Sequence, residues 1–172
     1  MALGFPGRCF CIRSFMMKSR IFSVLIFLFL AISVQLHAQT AAEIDALLEA
    51  DKISAACLAR FVLGAADLLP EGLSGAEAEE AAYGIAYSNG WLKLSAGENV
   101  TLKDTAFLIM KAFDLRGGIM YSLFKNPRYA YREMIYRKLI MGHADQAMTP
   151  NGARLLQILD KTISYTGVEE GR

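Results

Sequence analysis

The chain has 172 residues, three cysteines and two histidines, and a formal net charge of +1. With residues 1–38 set aside as a leader, 134 remain, carrying 17 acidic and 14 basic side chains, a balance that speaks against a general nucleic-acid binder. The cysteines and histidines are too few and too scattered for a disulfide framework or a metal cluster, while 134 residues suffice for one compact domain with its own core.

Residues 1–38 read as a targeting segment. Arg13, Lys18 and Arg20 form a positive n-region, followed by the charge-free apolar run "IFSVLIFLFLAISV". Fourteen helical residues span roughly 21 Å, short of a ~30 Å hydrocarbon core. Leu36 and Ala38 stand at −3 and −1 of a cleavage site before Gln39. The competing reading is an uncleaved anchor. Met16 and Met17 offer alternative starts just before the n-region. Cys9 and Cys11 belong to the leader, so Cys57 is the lone thiol of the domain, expected as a buried small hydrophobe among "ISAACLARFVL". The expected route is Sec-type export, with an extracytoplasmic home and membrane contact only through the leader before cleavage.

From Gln39 onward the periodicity is helical. Ile44, Leu47 and Leu48 share a face in the first segment, and Leu58, Phe61, Val62, Ala65 and Leu69 do so in the second. "AEAEEAA" clusters Glu77, Glu79 and Glu80 in a first turn, where the helix dipole favours negative charge. Ala106, Leu108 or Ile109, and Phe113 mark the next helix, and Ile119 to Phe124 allow a short extended piece after Gly117-Gly118. An all-α domain over 39–172 is predicted.

Three helices begin with an apolar residue and then a hydroxyl suited to N-capping: Ile53-Ser54, Val100-Thr101 and Met148-Thr149, with Pro150 at the first helical position of the last. Asp104, three after Thr101, completes a capping-box pattern. The preceding segments align as well, "YGIAYSNGWLK" on "REMIYRKLIMG", matching Ala86 with Ile135, Tyr87 with Tyr136 and Trp91 with Ile140. Recurrence of the onsets at 47 and then 48 residues signals helical hairpins that bury their faces on one another, in units of about 43–69, 77–114 and 128–165 with an insertion at 115–127.

The pattern "A-x-x-I-x-Y-x-x-G-W-L", a polar loop, then "VTLKDTAFLIMKAF" resembles an S-layer homology repeat; "REMIYRKLIMGHADQAMTPNGARLLQIL" is similar, and "ISAACLARFVLGAADLL" resembles the closing half of a third. The resemblance implies three helix–loop–helix units around one core and a role in attachment to cell-wall polysaccharide or peptidoglycan. The family's Thr-Arg-Ala-Glu motif is altered in all three places: Ser54-Ala55-Ala56-Cys57, Thr101-Leu102-Lys103-Asp104 and Thr149-Pro150-Asn151-Gly152. Only Lys103 and Asp104 keep a cation and an acid nearby.

No catalytic set emerges. His143 and Asp145 in "GHADQ" have no serine or cysteine nucleophile in a recognisable elbow, and "RGGIM" lacks the lysine and strand of a phosphate loop. No cofactor or metal is expected, and a non-enzymatic protein is the expectation. "RGGIMYSLFKNPRYAYREMIYR", residues 116–137, crowds cations and aromatics around Glu133. As a seam it would turn Tyr129, Tyr136 and Ile140 inward, leave Arg132 and Arg137 in water and pair Glu133 with Arg137. As a binding surface it would offer Arg128, Tyr129, Tyr131 and Arg132 to acidic sugars or a carboxylate-bearing peptide. Lys103, Asp104 and Trp91 are the further candidates; for Trp91, matched with Ile140, packing in the core is the first expectation and stacking on a sugar the alternative. The expected partner is cell-wall polysaccharide or peptidoglycan; the alternative is another envelope protein, held by a scaffold that no longer binds glycan.

Overall fold

The computed structural model describes residues 41–70, 72–142 and 145–170. The chain divides into Met1–Ala41 and Ala42–Arg172, and the second unit holds the domain. Residues 1–38, where a leader is expected, and His143 lie outside the described residues. Within them the domain is all-α: α1 (41–49), α2 (Ala55–Ala65), α3 (Gly75–Ser88), α4 (Leu102–Ala112), α5 (Ile119–Phe124), α6 (Pro127–Tyr136) and α7 (Gly152–Glu170). No strand occurs among the described residues, only an isolated antiparallel bridge between Ser54 and Asn99. Nor is any described helix long and apolar enough to cross a membrane.

α2, α4 and α7 supply most of the core, with Leu58, Val62, Leu63, Leu102, Leu108, Ile109, Met110, Leu155 and Ile158 all buried. α4 is enclosed on nearly every side, which explains an apolar pattern too continuous to fix one face. α3 turns a stripe of Ala78, Ala82 and Ala86 inward, and side chains this small let α2 approach closely. α6 buries Ala130, Tyr131 and Met134 and packs on α4.

The helix ends recur. Ser54 caps α2, its hydroxyl accepting from the Cys57 N–H at 3.2 Å. Asp104 accepts from the Thr101 N–H at 3.2 Å and from its hydroxyl, the capping-box arrangement. α2 and α4 are both 11 residues long. Both close through an aspartate in the left-handed region, Asp67 (φ 58°) and Asp114 (φ 46°), and the next N–H returns to the helix, Leu68 to Leu63 O and Leu115 to Met110 O, each 3.0 Å. α3 and α6 close on left-handed Gly90 and Lys138, with Trp91 donating to Ala86 O and Leu139 to Met134 O, each 2.9 Å. The backbone counterpart of Trp91 is therefore Leu139, and that of Ala86 is Met134. The alignment expected from side-chain pattern is off by one residue.

The third cap also differs from expectation. α7 is capped by Asn151, whose side-chain oxygen accepts from the Arg154 N–H at 2.9 Å. Thr149 is not the cap, and Pro150 precedes the helix rather than opening it. The reason is burial: Pro150 takes the enclosed place that Ile53 and Val100 hold before the other caps, while Met148 is 47% exposed. Gly152 then falls at the first helical position, where a Cβ would stand 1.6 Å from the Leu47 carbonyl oxygen.

The three capped onsets are joined to one another's loops. At the start of α2, the Ala55 and Ala56 N–H groups donate to Glu98 O (2.9 Å) and Ala96 O (3.0 Å) in the loop before α4. At the start of α4, Leu102 and Lys103 donate to Met148 O (2.8 Å) and Gln146 O (3.1 Å) in the loop before α7. At the start of α7, Gly152 donates to Ala50 O (3.1 Å) in the loop before α2. Orphan first-turn donors are thus satisfied in a closed cycle.

Candidate functional site

The 116–137 stretch starts from two glycines that let the chain turn tightly off α4. A Cβ on Gly117 would meet the Tyr121 ring at 2.3 Å, and one on Gly118 would come within 3.2 Å of a Glu133 carboxylate oxygen. Residues 119–124 then form a helix, not the extended piece the sequence allowed. Tyr121 is its inward anchor, 6% exposed, and burial with the nearby Asp114 charge raises its phenol pKa. Lys125 at φ 40° ends α5; Asn126 caps α6 by accepting from the Tyr129 N–H at 3.1 Å, and Pro127 opens that helix.

Arg137 ties three elements together. Its Nε donates to Glu133 at 2.9 Å, one terminal nitrogen donates to the Tyr165 hydroxyl at 2.9 Å, and the other donates to the Arg116 carbonyl. The guanidinium also lies over the Tyr165 ring, 5.2 Å from its centre. The Glu133–Arg137 pair is therefore present, but Arg137 is drawn inward, 15% exposed at the side chain. Tyr136 takes the opposite course, being 83% exposed where an inward position was expected. The inward face of α6 is set by Ala130, Tyr131 and Met134. That leaves Arg128, Arg132 and Tyr136 on the outside.

The candidate residues thus separate. Tyr131 is 7% exposed, its phenol pKa raised by burial and by Asp145 and lowered in part by Arg154, so it belongs to the core. Tyr129 is half-buried and stacks on Phe124 at 5.6 Å between ring centres. Arg128 and Arg132 are exposed, one turn apart on α6. Lys103 and Asp104 belong to a different element, the first turn of α4, where the Lys103 N–H goes to Gln146 O and Asp104 serves Thr101. Trp91 is half-buried against the core at the end of α3. Sequence reasoning passed over the outward face of α5, where Ile119 (80%), Met120 (58%), Leu123 (70%) and Phe124 (60%) are exposed. Six residues are too few for that face to stand out in the sequence.

A second feature, also unanticipated, is a cavity of about 180 Å³ between α1, α2 and the start of α3, lined in part by Glu43, Leu47, Cys57, Arg60, Phe61 and Glu79. Glu43 accepts from Arg60 at 3.1 Å and from the Gly75 N–H at 2.9 Å, which binds α1 to both neighbours. Cys57 is a free, half-buried thiol packed against the core. Burial, then the Glu79 charge, pushes its pKa up to about 11 from 9.0. At pH 8 the thiolate fraction, and the rate of modification by a maleimide, should be about 100-fold below that of an unperturbed thiol. Because the folded form holds its proton more tightly, the native state should lose stability as pH rises from about 9 toward 11 and lose none on this account below 9. A Cys57→Ser chain denatured across that range checks the sign, since its stability should fall less.

Comparison with family models, with curated proteins and with solved structures yields no match for this chain.

Proposed function

We infer that the protein is an exported, non-catalytic envelope module built from three S-layer-homology-like helix–loop–helix units, which holds an anionic cell-wall polymer. The observation that carries this reading is the cycle in which the onsets of α2, α4 and α7 each hand their first-turn N–H groups to the next unit's loop. With it go the equal lengths and shared left-handed aspartate endings of α2 and α4. In this arrangement α1–α2, α3–α4 and α6–α7 are the three units, and α5 is the insertion. Asn151-Gly152-Ala153-Arg154 becomes the third counterpart of the family's Thr-Arg-Ala-Glu motif, and the second position lacks arginine in all three units.

The ligand contact therefore moves to α6. Arg128 and Arg132 stand exposed on one face, with no ion pair among the described residues, and the half-buried Tyr129 lies between them in sequence. Guanidinium groups grip carboxylates and phosphates with paired hydrogen bonds that survive partial hydration. With Arg128→Ala and Arg132→Ala together, retention of the chain on purified sacculi at low salt should fall at least ~10-fold. Its melting temperature should stay unchanged, because neither side chain is packed. Undiminished retention in the double variant would remove the site.

A second reading, an assembly module for another envelope protein, is favoured by the missing arginines at the cap motif. A stoichiometric protein partner that co-purifies and resists muramidase treatment decides for it.

A further inference from the structure

We propose that α5 is a contact for an anionic phospholipid bilayer, inserting its outward apolar face among the acyl chains while the cations beside it meet headgroups. A surface helix ordinarily turns apolar side chains inward; α5 does the reverse. Ile119, Met120, Leu123 and Phe124 occupy one side of two turns, and each is more than half exposed. Only Tyr121 is buried in the domain. An apolar cluster of this size left in water marks an interaction surface.

Charge says what kind. Residues 115–127 contain two cations, Arg116 and Lys125, and no acid; exposed Asp114 lies just before them. Arg116 and Lys125 bracket α5 and are both exposed. Glu133, the first acid beyond, is occupied by Arg137. Apolar side chains with basic residues at their edges are the arrangement by which short amphipathic segments bind the interface of anionic membranes. Shape points the same way. Side chains this exposed stand proud of the surface, and a fluid bilayer accommodates a projecting cluster without needing a matching hollow. A wall glycan supplies acids for the cations but no bed for four large apolar groups. This contact uses residues distinct from the Arg128–Arg132 pair and stands whether or not that pair binds wall polymer. It also extends membrane contact beyond the leader, to which the sequence reading had confined it.

The test uses the full chain with the probe placed on α5, because the leader carries an apolar run of its own. Leu123→Trp is prepared with Trp91 left as a constant background, and vesicles of phosphatidylglycerol and phosphatidylcholine are titrated in. The difference in emission between this chain and the unaltered one should shift to the blue and be quenched by brominated acyl chains. Adding Arg116→Gln and Lys125→Asn, the latter suited to the left-handed backbone at 125, should weaken that response about fivefold for each cation removed. Ile119→Ser, which touches an exposed side chain, should weaken it further without changing the melting temperature. The proposal is overturned if vesicles hold the chain while the position-123 signal stays that of water. It is overturned equally by the same response on purely zwitterionic vesicles. A blue shift that appears without lipid and grows with protein concentration would assign α5 to contact between copies of the chain instead.

Discussion

Gly152→Ala should be the most damaging single methyl in the domain, lowering stability by at least ~3 kcal/mol and the melting temperature by roughly 10 °C. The added Cβ would sit 1.6 Å from the Leu47 carbonyl oxygen and 2.5 Å from its carbonyl carbon. Both are backbone atoms at the end of α1, so no side-chain rotation relieves the contact; α7 must withdraw from α1. Withdrawal also breaks the Gly152 N–H to Ala50 O hydrogen bond, the joint that closes the cycle. Gly167→Ala on the same helix is the control: its Cβ would meet nothing within 4 Å, and in a helix interior alanine should stabilise by about 0.5–1 kcal/mol. Urea denaturation of both chains measures the contrast. Equal behaviour would mean that α7 does not abut Leu47.

Arg137→Ala should cost about 2–4 kcal/mol, against less than ~0.5 kcal/mol for Arg128→Ala or Arg132→Ala. The three arginines share one helical stretch, but only Arg137 is largely enclosed, bonded to Glu133, Tyr165 and the Arg116 carbonyl. Removing it strands a mostly buried carboxylate and unties the insertion from α6 and α7. Glu133→Gln, which keeps the shape and an acceptor oxygen, should lose less. The expected order in thermal denaturation is unaltered chain, Arg132→Ala, Glu133→Gln, Arg137→Ala. If Arg132→Ala proves as costly as Arg137→Ala, the seam has been drawn around the wrong guanidinium.

What the sequence made legible was local. Ser54 and the Thr101–Asp104 pair could be read because a cap is a bond between residues three apart. The Glu133–Arg137 pair was legible for the same reason, as an i,i+4 contact. Asn151 was missed because Met148-Thr149 imitates an apolar–hydroxyl onset two residues early, and the contact that decides the matter is with Leu47, far off in the chain. The one-residue slip between α3 and α6 arose because Gly90 announces a left-handed turn while its counterpart Lys138 carries no such signal. Arg137 looked like a solvent-facing residue since two of its partners, Tyr165 and the Arg116 carbonyl, lie 28 and 21 positions away. α5 was expected as an extended piece because six residues are too few for a helical period to stand out, and its exposure is a tertiary fact that spacing alone does not give.

The cycle that joins the onsets of α2, α4 and α7 can be tested most directly by native-state hydrogen exchange at the amides of Ala55, Ala56, Leu102, Lys103 and Gly152. A closed cycle of joints requires all five to exchange only through global unfolding, with one common opening free energy. Gly152→Ala, where it still folds, should lower that value at all five together. Free exchange at any one onset while the other two stay protected would show three helices that merely neighbour one another, with no ring to hold them.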